Sequence, residues 1–393
     1  MIPSHATSKI AREMGQEKFA RSFDAWSHVV CLLYSQLCHS ISLADVCDAL
    51  ALRFSRLSLL RGARAPARNT LSHANTRRDP ELIQQLFWKT LQYLEGIAAG
   101  FGPSGRYRAL PRRFKCAIHA VDSTTIALVA SCMDWAKHRR RKAAAKLHMR
   151  LDLQCFLPRI AIVEEAGHHD NIRSVSLCAG LKPGEIVVFD KAYVDFAHLF
   201  ELTQRGVFWV SRAKDNMSFR VRRRLKADTS KGIVRDQIIE LKGAKSKAAF
   251  PIFMRRVLAR VEIDGKMQTV AFLTNNFDWA ASSVAGLYQA RWGIEVFFKQ
   301  IKQTLKLAGF IGYSKRAIQW QVWAALLVWL LARFQAYLSK WPHSFTRLVA
   351  MLRSHAWECI NLLDLLGFHG TARGPYRMMA TPDQAYLPGL HPR

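Results

Sequence analysis

Acidic residues are scarce in this chain. Its 393 residues include 29 Asp and Glu against 58 Lys and Arg, a formal net charge of +29. That balance argues against a cationic partner and points to a polyanion, nucleic acid first. Paired cysteines are missing as well. The eight cysteines, at 31, 38, 47, 116, 132, 155, 178 and 359, form no CxxC pair. This excludes a zinc-ribbon pattern and a disulfide framework, and reads as reduced core residues of a cytosolic protein. Long apolar runs are absent: the longest near the C-terminus, Val322 to Ala332, has 11 residues, whereas a membrane span needs about 20. The opening segment MIPSHATSKIAREMGQEKF has no apolar h-region of a signal peptide. No internal repeat is visible. Half of the residues are hydrophobic, enough for one large core or for two to three domains.

What is present changes character along the chain. Residues 16–100 have helical periodicity, and SLADVCDAL begins like a helix capped by Ser42. An arginine-rich stretch follows at 61–78, with Arg68, Arg77 and Arg78 around TLSHANT. It fits a helix-turn-helix reader of DNA and fits a solvated basic loop equally well. FGPSGRYRALPRRFK, 101–115, reads as a linker. Strand-like runs then succeed one another: CAIHAVDSTTIAL to Asp122, KLHMRLDL at 146–153, PRIAIVEEA at 158–166, GEIVVFDKAY to Asp190 and VFWVSRAK at 207–214. The continuous apolar run before Asp190 suits a strand buried on both faces. Short, basic β-like pieces fill 215–275, and helical patterns occupy 284–307 and the tail to about 367.

YQARWGIEVFFKQIK, 288–302, sets one carboxylate among cations. At about 100° per residue, Tyr288, Arg291, Glu295 and Lys302 fall within about 60° of arc, and Lys299 extends the same line. Ala290, Ile294, Phe297, Phe298, Ile301 and Leu305 take the other side, at roughly 180–280°. Surface pairing of i,i+4 neighbours would explain such a line on an isolated helix, and would contribute only a few tenths of a kcal/mol.

Two aspartates at strand ends change that reading. Asp122 and Asp190 each close an apolar run, and a strand–helix–strand crossover brings such ends side by side. Glu295 can then approach from its helix. Three carboxylates there suit two Mg²⁺ ions, with Mn²⁺ as a substitute, and in-line displacement at phosphorus. Arg291 and Lys302 would hold neighbouring phosphates. Other features weigh less. The basic run DWAKHRRRKAAAK, with Arg139, Arg140, Arg141 and Lys142, suits DNA-backbone contact. HHDN at 168–171 suits a polar loop near the site more than a ligand set.

The spacing Tyr288-x2-Arg291-x3-Glu295-x6-Lys302 resembles the Y-R-E-K signature of bacterial insertion-sequence transposases of the DDE superfamily. AVDSTTI looks like their first aspartate segment. VVFDKAY is similar to their second, with Ala192 where a glycine is usual. RSFDAWSHVVCLLYSQL and RNTLSHANTRR resemble their N-terminal region. The resemblance implies Asp122, Asp190 and Glu295 as metal-holding catalytic residues, and Tyr288, Arg291 and Lys302 as DNA-backbone contacts. It implies Mg²⁺-dependent cleavage at the element's terminal inverted repeats, a hairpin intermediate, joining of 3′-hydroxyls to target DNA, and a homodimer in the synapse on nucleoid DNA in the cytoplasm. The α/β layout expected from it has a helical DNA-binding domain at 1–100 and a linker at 101–115. An RNase H-like core at 116–214 and 281–315 is interrupted by a basic β insertion at 215–280, and a helical region at 316–393 follows. Relatives stack a flipped base on a Trp of the insertion, but 212–278 contains none, which leaves Trp209, Trp279 and Trp292. The rival readings are a nuclease of the same core that only cuts, and a domesticated DNA-binding protein.

Overall fold

A computed structural model describes residues 1–17, 22–102, 114–128, 132, 135–139, 142–166, 170–263, 266–307, 309–358 and 361–368. Arg140, Arg141, His168 and His169 lie outside the described residues.

The chain starts with six helices, α1 (Ala6–Glu13), α2 (Ala25–Cys38), α3 (Leu43–Ala51), α4 (Phe54–Ser58), α5 (Arg68–Arg77) and α6 (Glu81–Ile97). The Asp24 side chain caps α2 by accepting from the Ser27 amide, and Ser42 caps α3 by accepting from the Asp45 amide. These side chains satisfy amides that the first turn leaves without partners.

The middle of the chain builds one mixed sheet. Its strands are β1 (Ile118–Leu128), β2 (Lys137–Arg139), β3 (Lys142–Asp152), β4 (Leu157–Glu165), β5 (Ile186–Phe189), β6 (Phe208–Arg212), β7 (Phe219–Leu225), β8 (Ile233–Leu241), β9 (Met254–Ile263) and β10 (Lys266–Thr274). The order is β3-β1-β5-β6-β10-β9-β8-β7, with β2 and β4 both pairing with the outer side of β3. Among the described residues only β1–β5 and β5–β6 are parallel. Helices α7 (Asp170–Leu177) and α8 (Phe196–Gln204) precede β5 and β6 respectively.

Period-two alternation explains why β5 is apolar throughout. Ile186 and Val188 enter the core on one face of the sheet, and Val187 and Phe189 join Leu177, Leu199 and Leu202 of α7 and α8 on the other. The basic region 215–280 continues this sheet: β10 runs antiparallel to β6, with Phe272 opposite Arg212. Between β8 and β9 lies the short helix α9 (Ala244–Ala249).

Behind the sheet come α10 (Ala281–Ala290), α11 (Trp292–Lys299), a π-helical turn at Gln300–Thr304, α12 (Lys315–Leu338), α13 (Phe345–Ser354) and α14 (Leu362–Phe368). Helix α12 is the one helix among the described residues long and apolar enough to cross a membrane, yet 83% of its most apolar window is buried inside the protein. It packs on α2, α5, α6 and α13. Among the described residues the N-terminal helices therefore have no core of their own. A single apolar cluster runs from Ile10 and Leu32 through Phe87 to Trp320 and Trp329, and on to Ala120 and Ile186 of the sheet. Helix α12 also fixes what lies above it, since the Trp329 indole donates to Gln300 Oε1 at 2.8 Å, at the start of the π-helical turn.

Candidate active site

Strand β1 does not end at Asp122, as its apolar run suggested. It continues through Ser123-Thr124-Thr125 to Leu128, paired antiparallel with β3 along its whole length. What ends there is the parallel pairing. Val121 lies opposite Phe189, the last residue of β5. Asp122, still within β1, and Asp190, just past the end of β5, follow that pair. Asp122 and Thr124 share one face of β1 by alternation.

The backbone around each aspartate is held. Asp122 Oδ1 accepts from the Ser123 amide at 2.8 Å. Asp190 opens a single 3-10 turn, Lys191–Tyr193, closed by the Tyr193 amide donating to the Asp190 carbonyl. Tyr193 is buried, its hydroxyl is 3.1 Å from His148 Nδ1, and His148 Nε2 is 3.0 Å from Glu164. Glu164 is in turn ion-paired to Arg173. Sequence reasoning did not single out this buried chain, because its members are far apart in sequence. The polar His148 inside an otherwise alternating strand was the available signal.

Glu295 arrives on α11. Gly293 permits the approach, since a Cβ there would stand 3.1 Å from Leu153 at the end of the sheet. Helices α10 and α11 meet at Arg291. There the spacing tightens: the Arg291 amide donates to Tyr288 and the Ile294 amide to Arg291, both three residues back. The π-helical turn at 300–304 then loosens it. A uniform wheel does not describe this segment, and the expected outward stripe divides. Tyr288 and Arg291 are each 7% exposed, Lys302 is half-buried, and Glu295 and Lys299 face solvent.

The buried members turn toward the acids. Arg291 Nη1 donates to Asp122 Oδ2 at 2.6 Å and Nη2 to Glu295 Oε1 at 2.7 Å. The Tyr288 hydroxyl donates to Asp190 Oδ1 at 3.1 Å, and the Arg291 guanidinium lies 5.3 Å from the Tyr288 ring centre. Lys302 Nζ donates to Thr124 Oγ1 at 3.0 Å. Thr124 is thus a site residue that sequence reasoning missed, although its position two after Asp122 could have marked it.

Burial pushes the Asp122 carboxyl up to about 6, aided by Asp190 and Glu295 and opposed by Arg291. Burial likewise pushes the Tyr288 phenol up to about 12, with Asp190 acting in the same direction. Burial disfavours the Arg291 cation but is outweighed by Asp122, Tyr288 and Glu295, so its pKa is raised. Burial lowers that of Lys302.

Three hard oxygen donors from β1, the end of β5 and α11 match the chemistry of a divalent cation such as Mg²⁺. Their present arrangement places the Arg291 guanidinium between two of them. Among the described residues no three His, Cys, Asp or Glu side chains stand together as a metal cage.

The other basic candidates are spread out. Arg68 and Arg77 are exposed at the two ends of α5. Arg78 is half-buried and donates to the main-chain carbonyls of Asp24 and Phe23. Arg139 ends β2 and Lys142 begins β3. Of the tryptophans weighed, Trp209 is buried, Trp279 packs on Phe114 and Phe208, and Trp292, beside Arg291, is 42% exposed.

A basic α/β protein with two aspartates just past the last pair of its parallel strands fits the class of enzymes that act on nucleic acid. Comparison with known proteins narrows this class. Residues 117–331 match the family described as Transposase DDE domain, and residues 1–60 match a domain of unknown function, DUF4372. The chain belongs to the DDE transposase family, which implies an RNase H-like core and an enzyme acting on DNA. It is 29% identical over 280 residues to a Sinorhizobium fredii protein named as a transposase, y4zB, covering 70% of this chain and 73% of that one. It is 27% identical over 225 residues to a Geobacillus stearothermophilus protein named as a transposase for insertion sequence element IS5377, covering 56% and 57%.

Proposed function

We propose that this transposase binds the terminal inverted repeats of its own insertion sequence, cleaves the ends by phosphodiester hydrolysis and joins the 3′-hydroxyls to target DNA. Asp122, Asp190 and Glu295 are the catalytic acids. The observation that supports this most is their convergence: Asp122 and Asp190 follow the last residue pair of the parallel strands, and Arg291 and Tyr288 tie them to the helix of Glu295. The acids would hold Mg²⁺, two ions in the full assembly with Mn²⁺ as a substitute, which when bound would acidify the attacking water and offset charge on the leaving oxygen.

The chain's own side chains then have separate work. Lys302 and exposed Lys299 meet backbone phosphates beside the acids, with Tyr288 and Arg291 serving the same strand. Arg68 and Arg77, with Arg139 to Lys142, extend the contact along the duplex, and the +29 charge makes binding steeply dependent on salt. Hairpin formation at the cut end and a homodimeric synapse complete the proposed pathway. In the proposed layout, residues 1–100 read the element's ends, 101–115 is a linker, 116–214 and 281–315 form the catalytic core, 215–280 is the inserted β region, and 316–393 is the helical C-terminal region.

The test is a gel time course on labelled element ends with Mg²⁺. Asp122→Ala, Asp190→Ala and Glu295→Ala should each abolish cleavage while leaving end-binding intact. Wild-type cleavage by any one of them removes that residue from the set. Cleaved DNA without joined product would favour the rival that only cuts, and binding without cleavage the domesticated reading.

A further inference from the structure

Arg291 occupies an unusual place for a residue expected to clamp DNA. Its guanidinium bridges Asp122 and Glu295, two of the proposed metal ligands, at 2.6 and 2.7 Å. The residue is buried, and among the described residues its Nε has no hydrogen-bond partner. The bridge is also unequal. The Asp122 side chain is 17% exposed and the Glu295 side chain 53%, so one end is enclosed and the other opens at the surface.

We infer that Arg291 is a resident counter-ion that excludes the divalent cation until a DNA phosphate draws it away. The inference rests on the carboxylate reading given above. Two carboxylate oxygens that a metal would need are engaged by one fixed cation, and an arriving cation would meet that charge directly. The guanidinium has an alternative partner of higher charge: a backbone phosphate offers paired oxygens that match its fork. The wet Glu295 end is where such a phosphate would first compete. Once Arg291 turns to it, both carboxylates are free for metal. DNA therefore binds first and metal second, and a chain without its substrate holds no cutting centre. Linkage requires the effect to be mutual, so metal strengthens DNA binding by the same factor that DNA strengthens metal binding.

The experiment is a Mn²⁺ titration followed by electron paramagnetic resonance, on the full chain. Its arms are wild type, Arg291→Gln, Arg291→Lys and the triple variant Asp122→Ala/Asp190→Ala/Glu295→Ala. Each is measured alone and with a duplex carrying the element's own end, and the triple variant supplies the correction for Mn²⁺ on DNA. Without DNA, Arg291→Gln should bind Mn²⁺ at least tenfold tighter than wild type, and Arg291→Lys should stay closer to wild type. In wild type the duplex should raise Mn²⁺ affinity by at least the same factor. Equal DNA-free affinity in wild type and Arg291→Gln overturns the inference, as does an unchanged wild-type affinity on adding duplex. The second comparison needs no variant to fold. If no chain, with or without DNA, exceeds the triple variant, the carboxylate reading itself has failed.

Discussion

Two buried arginines in this chain make similar contacts to opposite ends. Arg255 on β9 sits 4% exposed against Asp236 on β8, 3% exposed, with Nε to Oδ1 at 2.9 Å and Nη2 to Oδ2 at 2.7 Å. Its Nη1 donates to the carbonyls of Phe277 and Trp279. Every nitrogen of that guanidinium is engaged, and the pair fastens the loop leading into α10. Arg291 bridges two carboxylates from different elements, keeps one nitrogen without a partner among the described residues, and reaches an acid that is half in water. The first pair has no better state available to it. The second has one as soon as a competing anion arrives. Burial alone does not tell a structural ion pair from a functional one; completeness of its hydrogen bonding does.

The largest expected effects come from breaking each pair in turn. Asp236→Ala leaves a buried guanidinium unpaired and should cost about 3–5 kcal/mol of stability. Glu295→Ala removes an exposed partner and should cost less than about 1 kcal/mol, yet abolish cleavage. Urea denaturation beside the cleavage assay measures both. Comparable losses of stability in the two variants would erase the distinction. Arg255→Lys should fall between them, because an ammonium cannot serve the Asp236 carboxylate and both loop carbonyls in the same plane. Each group left without a bond there costs about 1–3 kcal/mol.

The comparison also marks what could be read from sequence. The run before Asp190 was legible because a strand buried on both faces must be apolar at every position. The group Tyr288, Arg291, Glu295 and Lys302 was legible as one helix edge. Which way its members point was not, because tightening at Arg291 and the π-helical turn break the uniform wheel. Asp122 was misjudged as a strand end, since Ser123, Thr124 and Thr125 look like a turn until their pairing with β3 is known. The shared core of α2, α6 and α12 joins residues more than 200 apart, which local periodicity cannot reveal. Arg78 read as a possible DNA contact because a cation's main-chain partners leave no trace in composition.

Lys302 offers a sharper test of separable contacts. It donates to a neutral hydroxyl, and that bond is weaker than one to a phosphate. Lys302→Ala should let nicked DNA accumulate while hairpin and joined products fall about tenfold, since a charge-assisted bond contributes roughly 1.5–3 kcal/mol. Thr124→Val removes the resting partner and leaves the charge, so its products should stay within about twofold of wild type, a difference of roughly 0.4 kcal/mol. Equal loss in both variants would mean that Lys302 acts by holding Thr124 rather than by meeting DNA.

A last comparison separates the helical layer from the site by pH. His28 on α2 is fully buried, bonded through Nε2 to Asn75 at 2.8 Å and 4.3 Å from the Trp320 ring. Burial, with the nearby Arg78, pushes its pKa down to about 3. A lowered histidine is neutral when folded and takes a proton when unfolded, so its stabilisation is complete above the unfolded value of about 6.5 and is lost as pH falls toward 3. Asp122 has the opposite sign. Its raised value of about 6 gives stabilisation that is complete below the unfolded carboxylate value and lost as pH rises through 6. Between pH 4 and 6 the two slopes oppose one another. His28→Gln should therefore remove up to about 1.4 kcal/mol per pH unit of acid destabilisation in that window, and Asp122→Asn should steepen it. Chemical denaturation at pH 4, 5, 6 and 7 measures the slopes. A His28→Gln profile parallel to wild type would show that this ring takes a proton in the folded chain, and that the helical layer around Trp320 opens to water more readily than its packing implies.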